Sequence, residues 1–179
     1  MDMDNVELRR HLQTIVDENR ESRVGNQITL IAGVSKILPH TIKLEKEAKL
    51  DNDESWRYNC YTYAFRLLDS PEFVDITERH PFLLANSSYV LYLIERNLTE
   101  IEQNEVQDGD YIIYFLNGVP QHAGKIRNYK VVSKWGTYHL WEHDIWEVPI
   151  EYGDKMSFYR QISLEECVSA FKTWVDTRR

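Results

Sequence analysis

The stretch from Gly109 to Trp135 constrains the fold more than any other part of the chain. Tyr111 to Leu116 is a compact run of β-forming apolar residues. Asn117-Gly118 follows directly, and a two-residue hairpin turn needs just such residues because both must adopt positive φ. A second strand is expected from about Gln121 to Arg127 and a third from Lys130 to Trp135. Strands joined this tightly must run antiparallel, so an antiparallel sheet forms the centre of any fold open to this chain.

The flanking sequence reads mainly as helix. Val6, Leu8, Leu12, Ile15 and Val16 recur with helical spacing and predict an amphipathic helix from 4 to about 20. Ile28 to Ala32 is a short apolar run that reads as a strand ended by Gly33, and the charge-rich 44–55 reads as a loop. Trp56 to Leu68 predicts a helix with Tyr61, Ala64, Phe65 and Leu68 along one side, punctuated by Ser70-Pro71. Pro81 precedes a further helix opening near Asn86-Ser87, and the acidic 99–110 reads as a solvated turn. Residues 137–147 show no clean alternation, whereas Met156 to Gln161 reads as a strand. Ser163-Leu-Glu-Glu166 is a capping box, placing a last helix over about 164–176 with Cys167, Ala170, Phe171 and Trp174 on one face. Helices first and a sheet afterwards give an α+β class rather than a doubly wound one.

Composition narrows the function classes. A length of 179 residues suits one domain, and 42% hydrophobic with 28% charged residues permits a packed core. Net charge is -8, and no basic patch exceeds Arg9-Arg10 or Arg178-Arg179, which argues against nucleic-acid partners. No apolar window reaches membrane-spanning length, and the charged N-terminus has no signal-peptide core. Synthesis in a reducing cytoplasm is expected, with export by a specialised route left open. Two cysteines, Cys60 and Cys167, make neither a disulfide scaffold nor a zinc motif, so no metal or cofactor is expected.

Cys60 lies near the start of its predicted helix after Tyr58-Asn59, where free backbone N–H groups and the helix dipole favour a thiolate. Asn59 is expected to hydrogen-bond locally there. Cys167, within an amphipathic helix, reads as a core residue. His122 opens a strand in Gln121-His122-Ala123-Gly124, a rigid place from which an imidazole could take a proton from Cys60. Gly109-Asp110 reads as the turn that starts the first strand.

The segments YNCYTYA (58–64), DGDYIIYF (108–115), HAGKI (122–126) and VVSKWG (131–136), in that order, resemble the pattern of NlpC-type cysteine peptidases and amidases within the papain-like superfamily. The resemblance covers roughly residues 55–136. It implies a papain-like core in which the helix carrying the cysteine packs on an antiparallel β-sheet, with N- and C-terminal helices added. The single domain, 1–179, then divides into an N-terminal helix within 1–25, a catalytic core over 55–160 and a C-terminal helix over 163–177. It also implies Cys60 as nucleophile, His122 as general base and a third polar group on the next strand. Ser133 matches that third position by register, although the family more often has His, Asn or Gln there. His143 is the alternative, and His139 has less in its favour. Tyr58 and Trp135, with Trp141 and Trp146, are candidates to line a substrate cleft.

The implied activity is cleavage of an amide bond through an acyl-thioester, on cell-wall peptides or as a delivered toxin, with a peptide or protein substrate. An acyltransferase or deamidase would use the same pair. In a third reading the chain is a non-catalytic binding or immunity protein. Oligomeric state is left open.

Overall fold

The computed structural model describes residues 3–22, 26–47, 58–80, 83–136 and 139–178. Among these the chain is α+β, with six α-helices and one seven-stranded sheet. The helices are α1 (Met3–Ser22), α2 (Gln27–Val34), α3 (Cys60–Ala64), α4 (Pro71–Arg79), α5 (Ser87–Arg96) and α6 (Leu164–Asp176). The strands are β1 (Lys43–Lys46), β2 (Glu100–Ile101), β3 (Tyr111–Leu116), β4 (Val119–Arg127), β5 (Lys130–Lys134), β6 (Leu140–His143) and β7 (Lys155–Tyr159). Their order across the sheet is β1-β6-β5-β4-β3-β7-β2, and every neighbouring pair is antiparallel.

Helices cover both faces of this sheet, which explains why β3 is a continuous apolar run rather than an alternating one. Tyr111 and Ile113 point to a core shared with α3, α4, α5 and α6. Ile112 and Tyr114 point to a second core with α1 and α2, built on Leu8, Leu12, Ile15, Val16 and Ile31. Two tight turns set the central register. Asn117 and Gly118 have φ of 53° and 76°, and Asn128 and Tyr129 have φ of 50° and 62°, the paired positive values of hairpin turns.

Local caps end or begin several helices. The Ser163 hydroxyl accepts from the Glu166 amide at 3.2 Å while the Glu166 carboxylate accepts from the Ser163 amide at 2.9 Å, the expected capping box. Asn86 caps α5. Ser70 caps α4, which opens on Pro71, so the Ser-Pro pair starts a helix as well as ending the segment before it.

Four expectations need correction. The acidic 99–110, expected as a solvated turn, contains β2 paired with β7 and packs Ile101 and Val106 on the core. Residues 27–34 form a helix, since a short apolar run without polar alternation does not separate helix from strand. The predicted loop over 44–55 contains most of β1, whose backbone is ordered by pairing with β6; residues 48–55 lie outside the described residues. Only Cys60–Ala64 of the predicted 56–68 helix is α-helical, because Arg66 takes left-handed backbone at φ 55° before a 3-10 turn over Leu67–Asp69. Trp56, Arg57 and Pro81 lie outside the described residues. The unassigned 137–147 segment supplies β6.

Helix α1 is joined to the sheet by a buried arginine. Arg9 donates to the carbonyls of Val148, Pro149, Ile150 and Gly153, and its guanidinium lies 5.2 Å over the Trp146 ring. Gly153 has φ 141°, and a Cβ there would run into the Phe115 carbonyl. Only glycine lets this loop pass so close to β3. No described helix is long and apolar enough to cross a membrane.

Candidate active site

Cys60 is the first residue of α3, held there by an Asn59 cap. Asn59 Oδ1 accepts from the amides of Tyr61 and Thr62, each at 3.0 Å. The Thr62 hydroxyl accepts from the Asn59 amide at 2.9 Å, and Asn59 Nδ2 donates to the Ala85 carbonyl at 2.9 Å. The local role expected of Asn59 is therefore met, and it fixes the approach of Cys60 to β4. The thiol is 8% exposed, and burial raises its pKa to about 11. Backbone contacts with Ala123 and Tyr61, and the positive charge of Lys134, pull it down.

The residue opposite Cys60 on β4 is Ala123, not His122. Ala123 belongs to the same core as Cys60. Neighbouring strand residues point to opposite faces, so His122 is directed to the other side of the sheet. Its cross-strand partner Tyr114 lies on that side, and its ring stacks on Tyr152 with centroids 3.9 Å apart and planes 17° apart. The Cys60–His122 pair expected from spacing is thus not brought together. His122 is 1% exposed, its Nε2 has no hydrogen-bond partner among the described residues, and burial holds its pKa well below the usual histidine range.

Ser133 and His143 share the face of His122 but engage each other. Ser133 Oγ lies 2.8 Å from His143 Nε2 and accepts from Trp135 Nε1 at 3.2 Å. His143 Nδ1 is 2.7 Å from the Asp144 carbonyl, an acceptor, so Nδ1 carries the proton and Nε2 accepts from the Ser133 hydroxyl. Burial lowers the His143 pKa to about 4, which keeps this set neutral near neutral pH. The two residues weighed as alternative orienters of His122 are therefore one hydrogen-bonded pair in the core. Trp135 is fully buried beside them. His139 is also buried, edge-on to Trp141 at 6.0 Å.

Lys134 faces the Cys60 side. Ser133 pairs with Gly124 on the His122 face, so the next residue on β5 must point to α3. Lys134 is 1% exposed and its ammonium sits 4.4 Å over the ring of half-buried Tyr58. Burial lowers its pKa to about 8, opposed by the Cys60 thiolate. A lysine within the apolar run Val131-Val132-Ser133-Lys134-Trp135 was the signal that could have marked it.

The remaining candidates behave as structure. Cys167 is fully buried, with the Tyr111 hydroxyl 4.0 Å from its sulfur. Asp110 accepts from the amides of Gln107 and Gln161 and from Arg160 Nη1, tying together the turn that starts β3. Among the described residues no group of three or more His, Cys, Asp or Glu side chains could hold a metal ion.

No curated protein and no solved structure matches the chain. A family model does match, over residues 49–160, and it is described as a domain of unknown function, DUF7689. That stretch contains α3, β3 to β6 and both cysteine-facing residues Ala123 and Lys134, and the chain belongs to the DUF7689 family.

Proposed function

We propose that this protein is a thiol-dependent enzyme acting on amide bonds of a peptide or protein, with Cys60 as nucleophile and Lys134 as proton acceptor. The observation that carries this reading is the buried Lys134 amine on the same face of the sheet as a thiol at the start of a capped helix, each acting on the other's charge. The neutral amine takes the thiol proton, and the sulfur attacks the carbonyl carbon to form an acyl-thioester. As the C–N bond breaks, the Lys134 ammonium returns its proton to the departing amine. Water or another nucleophile then releases the acyl group. A helix carrying a cysteine and packed on an antiparallel sheet is consistent with a papain-like core of the NlpC type. The proton acceptor differs from that pattern, because His122 serves the opposite core.

Burial of Cys60, which raises its thiol pKa to about 11, favours a second reading in which the thiol is inert and the domain binds a partner. Alkylation with iodoacetamide across pH separates the two. An enzyme of the proposed kind labels at Cys60 at least about tenfold faster than at Cys167, with a rise through pH 8 that disappears in Lys134→Met. Equal, slow labelling of both cysteines would leave the binding reading in place.

A further inference from the structure

A cavity of about 340 Å³ opens at the other end of α3 from Cys60, lined by Phe65, Arg66, Tyr111, Lys125 and the segment 161–164. Two cations line it and no carboxylate does. Lys125 is half-buried on β4, with its ammonium 5.8 Å from the centre of the Tyr111 ring, and that ammonium makes no hydrogen bond or ion pair among the described residues. Arg66 uses only Nε, on Asp69 at 2.8 Å, and its two terminal nitrogens make no hydrogen bond among the described residues. Burial and the nearby Arg66 charge disfavour the Lys125 ammonium, partly offset by Cys167 and Asp69.

Lys125 is a half-buried cation, and burying a cation without a partner is costly, whereas the Arg66 guanidinium beside it is exposed and already paired with Asp69. A bound anion gives the Lys125 ammonium a partner and offsets its repulsion from Arg66, whose terminal nitrogens are left over from its pairing with Asp69. The fork of free Arg66 nitrogens suits tetrahedral or planar oxyanions, with Lys125 as a point charge beside it. Phe65 and Tyr111 add aromatic walls on which an organic group could rest.

We propose that this cavity binds a phosphate dianion, free or as the end of a small phosphomonoester, through Lys125 and Arg66. The site is independent of the thiol chemistry proposed for Cys60. Calorimetric titration of the full chain with inorganic phosphate at constant ionic strength should give saturable one-site binding. Lys125→Met and Arg66→Gln should each weaken it by about tenfold or more, while Cys60→Ala leaves it unchanged. Tighter binding of phenyl phosphate supports a monoester as the natural ligand, and equal affinity supports the free oxyanion. Lys125→Met keeps the alkyl stem and removes an unpaired charge, so it should melt no lower than wild type without phosphate. If that variant fails to fold, Arg66→Gln still reports on the site. No saturable heat up to roughly 10 mM phosphate, or wild-type affinity in a folded variant, would overturn the proposal.

Discussion

On the α1–α2 face of the sheet, Ser133, His143 and Trp135 satisfy one another and burial keeps their histidine neutral. On the α3–α6 face, Lys134 lies over Tyr58 on the Cys60 side of the sheet, and Lys125 shares a cavity with Arg66. Both faces bury polar groups, but only on the first do three of them, Ser133, His143 and Trp135, close into a neutral hydrogen-bonded set. A closed set stabilises one arrangement of the core. Cations left near a thiol or a cavity retain the capacity to bind a ligand or move a proton.

That contrast can be broken most severely at Arg9. Arg9→Met leaves four carbonyls of the 148–153 loop without their shared donor, and should destabilise the protein by about 3 kcal/mol in chemical denaturation. Ser133→Ala is expected to cost about 2 kcal/mol, because His143 Nε2 and Trp135 Nε1 both lose a partner inside the core. A loss well below 1 kcal/mol would mean that this face is not the closed set described.

Acid provides a gentler probe of the same face. His143, lowered to about 4, and His122, also held low, stay neutral when folded, whereas an unfolded histidine titrates near 6.5. As pH falls from about 6.5 towards 4, the unfolded chain takes up protons that the native chain does not. Stability therefore drops by roughly 1.4 kcal/mol per pH unit for each such histidine. Denaturant midpoints that stay level between these pH values would show that the histidines charge without unfolding.

Features dictated by neighbouring residues were legible in the sequence. The Ser163–Glu166 box, the Asn117-Gly118 turn and the run Tyr111–Leu116 each carry their own local physics, and each lies where expected. Features that depend on distant partners were not. Strand β1 is a charged tetrapeptide made a strand by β6, and α4 escaped notice although Ser70-Pro71 is a good start signal. The candidate site failed in the same way. Spacing placed Cys60 near β4, but which face of β4 the helix covers is a tertiary choice, and an offset of one residue exchanges His122 for Ala123.

Arg9 also bears on how the protein can be divided. The family match spans 49–160, so α1, α2, β1 and α6 all lie outside it. An excised fragment with those bounds would lack the helices whose side chains cover Ile112, Tyr114 and Val131 on one side and Tyr89 on the other. It would also strand the loop that Arg9 holds against β3. A fragment with the bounds of the family match is therefore expected to be less stable to denaturant than the longer chain.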